Sequence, residues 1–380
     1  MNSLLEIRES IDKIDDQIVE LYKERMQLAK QVGVIKKETD KAVHDGKREE
    51  EIVYRLSQKC PEDIRLYLKE VYESIFNSSK AYQNKFIKAH SPVKAELDKI
   101  IENPLNDFPV DGTVACQGVY GAYSGKATNK MFPISSVTYF KTFEGVFNAV
   151  EKGLCDYGVL PIENSTAGSV LEVYDLMKKY DFHIVKSVKI QIDHCLAVKK
   201  GVELSAVKKV ISHSQALSQC AEYIKKLGVI TEAVENTAVG AKMVAEGNDY
   251  TVAVLCSKES AIAYDLKILE PSVQDSDKNY TRFICITKDL RVYKGADKIS
   301  IMTSLSHTPG ALNKIVSKFY SFGLNLTKIE SRPIEGSDFE FMFYFDFEGD
   351  VLDLNVRNLI AELDNGSDKF VLLGTYKESV

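Results

Sequence analysis

Charged side chains interrupt an apolar helical pattern near the start of the chain, and their types suit the binding of a small anion. Arg25 stands in a repeat of aliphatic residues spaced three and four apart, where another aliphatic residue is expected. Lys36 lies about three helical turns further along nearly the same face. A buried guanidinium without a partner is costly. Arg25 therefore sets the register of packed helices, extends to water, or forms the floor of an anion site.

Two further predicted helices repeat this feature. The first begins at Asp45, the expected N-cap, and carries Arg48 and Glu49 above it on one face. The second begins after Pro61 and places Ser79 and Gln83 on its apolar face. Fraying near a helix end would explain Ser79 and Gln83 taken alone. Because three helices share polar exceptions on their packed faces, we expect an anion site inside a helical bundle.

Polar segments also follow strands and open helices between residues 111 and 290. They are Ser124, the segments 164–166 and 212–215, and Thr281, which precedes the last strand of this region. Each segment alone is explained as an ordinary helix N-cap. Together they favour an anionic ligand in a cleft, because ligands bind at the carboxyl ends of such strands and helix N-termini attract anions.

The elements that position these residues are predicted from hydrophobic periodicity. Residues 4–36 form a helix roughly 50 Å long, which is expected to lie against another chain or another long helix. Residues 91–110 are a linker with one short helix. Strands alternate with helices over 111–290, with a long run of strand character at 184–198, which predicts a mostly parallel sheet covered on both faces. Residues 296–378 have the order βαββαβ of a ferredoxin-like domain.

Composition limits the classes of protein. A length of 380 residues suggests two or three domains, and a net charge of −6 argues against a nucleic-acid partner. No apolar run is long enough for a membrane span, and the charged N-terminus is unlike a secretory signal. Seven cysteines without a CxxC pair and six scattered histidines predict a cytoplasmic protein without a metal site. No cofactor is expected, because glycine-rich nucleotide motifs are absent.

Four N-terminal segments carry a resemblance to a known family: LLEIRESIDKID, ELYKERMQLAKQVGVIK, DGKREEEI and SSKAYQ. They resemble the all-helical chorismate mutase domain over residues 1 to about 85. The resemblance implies an intertwined dimer in which one residue, Arg8, completes the partner's site. It implies a site lined by Arg8, Arg25, Lys36, Asp45, Arg48, Glu49, Ser79 and Gln83.

The implied reaction suits these residue types. Rearrangement of chorismate to prephenate needs no nucleophile, metal or proton relay. It needs a dicarboxylate held in its compact reactive conformer, and donors at an ether oxygen that gains negative charge. Arginine forks suit the carboxylates. Lys36 and Gln83 are the expected donors to the ether oxygen, and Glu49, with Asp45, is expected to take the substrate hydroxyl.

A second resemblance covers residues 112 to 288 and is to prephenate dehydratase. Its carriers are GVYGAYS, DYGVLPIENSTAGSVLEVYDLM, SHSQALSQC, VENTAVGAK and NYTRF. It implies two lobes, as in periplasmic binding proteins, formed by about 112–188 with 265–288 and by about 189–264. Prephenate would lie between them and would lose CO₂ and water, with Thr281 as general acid. The implied substrate-orienting residues are Glu163, Asn164, Ser165, Thr166 and Gln215, and the role of His213 stays open.

A third resemblance is to the ACT regulatory domain of phenylalanine-sensitive enzymes. It is carried by TPGAL at 308–312 and ESRP at 330–333. The first motif places free backbone N–H groups at a helix N-terminus, which suits the carboxylate of an amino acid. The implied phenylalanine site contains Gly310, Ala311, Leu312, Glu330, Ser331 and Arg332.

These observations together predict a bifunctional cytoplasmic enzyme, regulated by phenylalanine, that forms a homodimer or homotetramer. The expected domains are residues 1–90, 111–290 and 296–378, with a linker at 91–110. One alternative is a two-lobed receptor joined to a sensor, whose helices only dimerise it. The polar residues on packed helix faces weigh against that alternative. A second alternative, an enzyme with only one active domain, stays open.

Overall fold

The computed structural model describes residues 3–39, 45–84, 91–103, 106–305, 307–308, 310–334, 341–367 and 369–379. These residues form two compact units. One unit lies within 1–99, 302–347 and 351–371, and the other lies within 100–301, 348–350 and 372–380.

The element order alternates helices and strands after an N-terminal run of helices. The helices are α1 (Leu4–Glu38), α2 (Gly46–Ser57), α3 (Arg65–Asn84), α4 (Pro92–Ile101), α5 (Tyr123–Met131), α6 (Phe143–Glu151), α7 (Leu171–Lys179), α8 (Ser214–Gln219), α9 (Ala221–Leu227), α10 (Thr237–Glu246), α11 (Lys258–Ala263), α12 (Ala311–Ser321) and α13 (Leu354–Asn365). The strands are β1 (Asp111–Gln117), β2 (Ile134–Phe140), β3 (Tyr157–Asn164), β4 (Gly168–Ser169), β5 (His183–Gln191), β6 (Cys195–Val198), β7 (Lys209–Ser212), β8 (Ile230–Ala233), β9 (Val252–Cys256), β10 (Lys267–Glu270), β11 (Tyr280–Thr287), β12 (Lys298–Leu305), β13 (Leu326–Pro333), β14 (Phe341–Glu348) and β15 (Phe370–Ser379).

Helix α1 confirms the predicted long N-terminal helix. Its start is fixed by a capping box, in which the Ser3 side chain accepts from the Glu6 N–H and the Glu6 carboxylate accepts from the Ser3 N–H. The aliphatic repeat along α1, called here the α1 stripe, is at least 43% exposed at every position in this chain. The stripe consists of Leu4, Ile7, Ile11, Ile14, Ile18, Leu21, Leu28, Val32 and Ile35.

The C-terminal elements confirm the predicted βαββαβ order, from β12 to β15. Their strand order is β13-β14-β12-β15, and β13 and β14 pair as an antiparallel hairpin. Aromatic side chains on β14, such as Phe345 and Phe347, pack against Phe319 of α12. Helix α12 also contacts α3 of the same unit.

The second unit contains strands in the orders β15-β5-β11-β3-β1-β2 and β10-β6-β9-β7-β8. The expectation of a mostly parallel sheet is wrong. β11 runs antiparallel to both β3 and β5, and β6 runs antiparallel to both β9 and β10. Parallel pairing joins β1 to β2 and β3, β5 to β15, and β7 to β8 and β9. Both sheets are therefore mixed.

The long run of strand character at 184–198 contains two strands, β5 and β6, which belong to different sheets. The intervening backbone makes other bonds: the Ile192 N–H donates to the Asn279 carbonyl at 2.8 Å, and the His194 N–H donates to Gln274 Oε1 at 2.9 Å. Apolar residues flank the break on both sides, so hydrophobicity alone did not reveal it. Among the described residues, no helix is long and apolar enough to cross a bilayer.

Candidate active sites

Helices α1 and α3 bring two of the expected N-terminal site residues into contact. The Arg25 guanidinium donates to Ser79 Oγ, and its carbon lies 5.7 Å from the centre of the Phe76 ring. Ser79 is 5% exposed, and its own hydroxyl donates to the Ile75 carbonyl at 2.7 Å. Because the Ser79 hydroxyl is itself held by the Ile75 carbonyl, it fixes the orientation of the Arg25 guanidinium. The other guanidinium N–H groups are then available to bind an anion.

Glu49 on α2 faces α3 through an ion pair that sequence reasoning missed. Its carboxylate lies 3.0 Å from Lys80 Nζ, and each side chain is 25% exposed. Lys80 directly follows Ser79, so α3 presents Ser79 towards α1 and Lys80 towards α2. Lysine is common on the solvated faces of helices, so the sequence held no signal for this contact.

Gln83 lies where α1 and α3 approach closely. A Cβ atom at Gly33 would lie 3.3 Å from Cβ and Cγ of Gln83, so glycine permits this approach. Gln83 is 8% exposed, and its Oε1 atom is buried without a hydrogen-bond partner among the described residues. A buried amide with an open position suits contact with a ligand, and rotation of the Gln83 amide by 180° presents its Nε2 donor at that position.

The other expected residues of the N-terminal site are more exposed. Asp45 is the N-cap of α2, where its carboxylate accepts from the Arg48 N–H at 3.1 Å. The Arg48 side chain pairs with Glu51 at 3.1 Å on the exposed side of α2. Lys36 is partly buried on α1, and Arg8 is exposed on the same helix. Within one chain, the structure therefore joins Arg25 to Ser79 but leaves Arg8 at a surface.

In the second unit, Asn164 at the end of β3 is the centre of a hydrogen-bond network. Its Nδ2 atom donates to Thr281 Oγ1 at 3.0 Å and to Asn279 Oδ1 at 2.8 Å. Its Oδ1 atom accepts from the backbone N–H of Thr166 and from Gln215 Nε2, at 3.0 and 3.3 Å. Three predicted residues are therefore joined to Asn164 directly, with Gln215 reaching it from α8.

Thr281 is 9% exposed, and its hydroxyl oxygen accepts the hydrogen bond from Asn164. This bond leaves the hydroxyl hydrogen free to be donated elsewhere. A donor to the oxygen also stabilises the negative charge that would develop on proton donation. The Thr281 hydroxyl can therefore donate its hydrogen to another group in this site.

Ser165 ties the loop after β3 to the strand that carries Thr281. Its hydroxyl donates to the Lys278 carbonyl at 3.2 Å and accepts from the Tyr280 N–H at 2.9 Å. The Ser165 N–H donates to the Tyr280 carbonyl at 2.8 Å. These contacts give Ser165 a role in positioning the Thr281 backbone.

Glu163 faces the opposite side of the sheet from Asn164, because adjacent residues on a strand alternate. Its carboxylate lies 3.5 Å from Nε of Arg282, which neighbours Thr281 and is 7% exposed at its side chain.

His213 is the N-cap of α8, where its ring accepts from the Gln215 N–H at 3.3 Å. The His213 ring thus caps the first turn of α8, next to Gln215.

Glu378 on β15 is largely buried and is surrounded by three cations, of which Lys298 and Arg282 are also buried and Lys189 is partly exposed. Its carboxylate lies 2.8 Å from Lys298, 2.9 Å from Lys189 and 3.8 Å from Arg282. Burial by itself raises the pKa of Glu378. Hydrogen bonds from both lysines, together with the charges of Lys298 and Arg282, outweigh burial and lower this pKa to about 2.

This cluster predicts a loss of stability in acid. Because the folded pKa of Glu378 lies below its ordinary value of 4.5, the contribution is complete above pH 4.5 and disappears as the pH falls towards 2. Its size is on the order of 3 kcal/mol. In urea unfolding measured across this range, Glu378→Gln should be less stable than the parent at pH 6 and should approach it near pH 2.

Glu144 provides the matched control. Lys179 lowers the pKa of its carboxylate through a hydrogen bond and its charge, but this pair is exposed. Glu144→Gln should change stability little at any pH, because exposed ion pairs contribute little. If Glu378→Gln matched Glu144→Gln, the buried cluster would not be a source of stability.

The expected effector residues lie in the C-terminal domain of the first unit. Gly310 is the N-cap of α12 with φ 81°, a left-handed conformation that glycine adopts without strain. Ala311 and Leu312 form the first turn of that helix, and Leu312 is 39% exposed. Glu330, Ser331 and Arg332 lie on β13, where Ser331 points to the exposed face.

Two family models match this chain. The model described as chorismate mutase type II matches residues 7–84, and the model described as prephenate dehydratase matches residues 114–291. The matched ranges contain the Arg25–Ser79 contact and the Asn164–Thr281 network, respectively.

Known proteins resemble the chain over most of its length. It is 33% identical to a bifunctional chorismate mutase/prephenate dehydratase of Aquifex aeolicus, over 100% of this chain and 99% of the relative. It is 36% identical to arogenate dehydratase/prephenate dehydratase 2 of Arabidopsis thaliana, over 79% of this chain and 82% of the relative. A structure of prephenate dehydratase with L-Phe from Arthrobacter aurescens has a TM-score of 0.65 and 27% identity, and covers 70% of this chain and 89% of that one.

Proposed function

The chain belongs to the family of bifunctional chorismate mutase/prephenate dehydratases, and we propose which of its residues carry each reaction, how it assembles and what regulates it. The mutase lies in α1–α3 and the dehydratase in the region of β1–β11. The Asn164–Thr281 network is the observation that supports the second assignment most strongly, because it joins four polar side chains from three separate segments of the chain.

For the mutase, Arg25 and Arg48 bind the carboxylates of chorismate, and Ser79 orients Arg25. Lys36 and Gln83 donate to the ether oxygen, which gains negative charge as its bond breaks. Glu49 accepts from the substrate hydroxyl while Lys80 holds its carboxylate, with Asp45 at the start of α2. The rate gain comes from holding the compact conformer and from stabilising the developing charge.

For the dehydratase, Thr281 gives its proton to the leaving hydroxyl while the loss of CO₂ supplies the electrons. Asn164 supports the threonine oxygen as its charge develops, and Gln215 holds the Asn164 amide from the second lobe. Ser165 and Thr166 fix the loop through their backbone contacts, and Glu163 holds Arg282 on the other side of the strand.

The direct test is to incubate the purified chain with chorismate and to follow prephenate and phenylpyruvate together. Prephenate should rise first and phenylpyruvate should follow. Accumulation of prephenate alone would show that only the mutase is active. A second assay starts from prephenate and therefore measures the dehydratase without the mutase.

Arogenate is a second candidate substrate, because the Arabidopsis relative is named for both arogenate and prephenate. The mutase domain favours prephenate, since the chain itself makes that compound. Comparing kcat/KM for the two substrates on the same preparation decides between them. A higher value for arogenate would overturn the preference.

A second copy of the chain covers the α1 stripe. The stripe runs the length of a 35-residue helix, and contiguous exposed apolar surface of that extent marks an interface. Its three-and-four spacing is that of a helix packed lengthwise on another helix. In a two-fold pair, Arg8 of one chain completes the site that contains Arg25 of the other. Light scattering of the purified chain distinguishes a dimer from a tetramer formed by two such dimers.

Phenylalanine binds the C-terminal domain and inhibits the dehydratase. The support is the left-handed Gly310 at the start of α12, the Glu330–Arg332 segment on β13, and the related structure with L-Phe. The effector must bind the inhibited state of the protein better than it binds the state that favours substrate, and such coupling is typically about 1–3 kcal/mol.

Gly310→Ala should weaken phenylalanine binding roughly 5–30-fold in calorimetry, because alanine resists the left-handed conformation by about 1–2 kcal/mol and displaces the backbone N–H groups at the start of α12 that face the effector's carboxylate. Dehydratase activity without phenylalanine should be kept. Gly323→Ala is the matched control, since it has φ 68° and open space at the other end of the same helix. Equal weakening in both variants would place the effect in α12 as a whole, and no binding to the parent chain would refute the effector.

A further inference from the structure

The orientation of the Asn164 amide is fixed by its surroundings. Its Oδ1 atom accepts from two backbone N–H groups, of Thr166 at 3.0 Å and of Ala167 at 2.8 Å. Backbone N–H groups can only donate, so the atom that faces them must be oxygen. The other end of the Asn164 amide is therefore nitrogen, and that nitrogen faces Thr281 and Asn279.

This constraint also fixes the amide of Asn279. The atom of Asn279 that lies 2.8 Å from Asn164 Nδ2 must be an acceptor, which is Oδ1. Asn279 Nδ2 therefore points elsewhere. Asn279 is 2% exposed, and its Nδ2 atom is buried without a hydrogen-bond partner among the described residues.

A buried amide donor without a partner is destabilising, so its persistence calls for an explanation. Asn279 lies two residues before Thr281 on the same run of chain, and both side chains contact the same nitrogen of Asn164. Asn279, which carries the unpartnered donor, is therefore connected to Thr281, the proposed acid, through two hydrogen bonds to Asn164. The substrate of the proposed dehydratase is a dianion, and carboxylates are strong acceptors for amide donors.

We propose that Asn279 is a substrate-binding residue of the dehydratase, whose Nδ2 atom donates a hydrogen bond to a carboxylate oxygen of the bound substrate while its Oδ1 atom holds Asn164. This inference rests on the proposed function of the Thr281 site. The two ends of the Asn279 amide then have separate roles: Nδ2 binds the substrate and Oδ1 accepts from Asn164. The alternative explanation is that Asn279 only holds Asn164 in place, and for that role the Asn279 oxygen is sufficient.

Two substitutions separate these explanations, because they predict opposite rankings. Asn279→Asp keeps an oxygen that accepts from Asn164 but replaces the donor with an acceptor beside an anion. Asn279→Ala removes both atoms without adding charge. If Nδ2 contacts the substrate, the aspartate variant is the weaker binder, with kcat/KM for prephenate lowered at least about 100-fold and mainly through KM. If Asn279 only supports Asn164, the aspartate variant stays near wild type while alanine loses activity.

Asn148→Asp is the matched control. It makes the same chemical change on α6, where Asn148 Oδ1 accepts from the Tyr180 hydroxyl at 3.1 Å. It should leave the kcat/KM for prephenate unchanged. The fold of each variant is checked by near-UV circular dichroism of the full chain, which contains 19 tyrosines. Wild-type turnover of prephenate, measured alongside, tests the proposed function separately from the role of Asn279.

Lowering the pH provides a second readout that a structural role would not give. The carboxyl group that Asn279→Asp introduces becomes a donor again when it is protonated, so the variant's kcat/KM relative to wild type should rise as the pH falls from 7 towards 5. If the aspartate variant fails to fold, Asn279→Ala is the remaining test: a raised KM for prephenate with kcat kept supports the contact, whereas a lowered kcat with KM unchanged supports the structural explanation. An unchanged KM in either folded variant overturns it.

Discussion

Thr281→Ala should lower phenylpyruvate formation roughly 10²–10⁴-fold, the usual contribution of a positioned acid, while prephenate still accumulates from chorismate. Thr281 lies on β11, and its hydroxyl is held by Asn164 in the second unit. The Arg25–Ser79 contact lies on α1 and α3 in the first unit. The two reactions should therefore fail independently, which an assay that starts from chorismate and follows both products measures directly.

Thr281→Ser is the control for this result. It keeps a hydroxyl at the same position, so the Asn164 bond can form again and much of the dehydratase activity should remain. Asn164→Ala should resemble Thr281→Ala, because it removes the donor to the threonine oxygen. Equal loss of mutase and dehydratase activity in a folded Thr281→Ala chain would contradict the assignment of separate sites.

Arg8→Ala and Arg25→Ala should each lower mutase activity roughly 10²–10³-fold, since each removes a charged donor to the substrate. Mixing the two variants under conditions that let chains exchange should restore activity to about a quarter of wild type. Random pairing makes half of the dimers hybrids. In each hybrid, one site contains both defects and the other contains neither.

The hybrid experiment depends on α1 pairing with a second α1. A single chain leaves Arg8 exposed and the α1 stripe uncovered. Mixing Arg25→Ala with Ser79→Ala is the control, because both residues belong to the same site in the same chain. Recovery should then come only from sites that are wild type in both residues, and hybrids contain none. Verified Arg8/Arg25 hybrids without recovery would show that Arg8 acts within its own chain.

Sequence periodicity was sufficient for the elements whose pattern is local. The repeat along residues 4–36 predicted α1, and the order of strands and helices after residue 296 predicted the C-terminal domain. Arg25 was conspicuous because it broke an otherwise unbroken apolar repeat. Such features depend on residues three or four apart, which share a helix face in any tertiary context.

Alternation along a strand was also available in the sequence, but the prediction did not apply it. Glu163 and Asn164 are neighbours on β3, so their side chains must point to opposite faces. The structure accordingly pairs Glu163 with Arg282 and Asn164 with Thr281. Alternation thus separates the contacts of two neighbouring residues that the family resemblance gives as one group.

The tertiary structure alone decided which distant groups meet. Nothing local to Glu49 indicates Lys80 as its partner, and nothing local to Asn164 indicates both Gln215 and Asn279. The apolar pattern of residues 184–198 did not mark where the chain passes from one sheet to the other, because the buried strands β5 and β6 have the same apolar composition. Only the family resemblance placed a lobe boundary near residue 188. The sequence determined the helices, the strands and the candidate chemical groups, since these follow from local periodicity. Their contacts depend on strand register and helix packing between residues far apart in the chain, which local patterns do not encode.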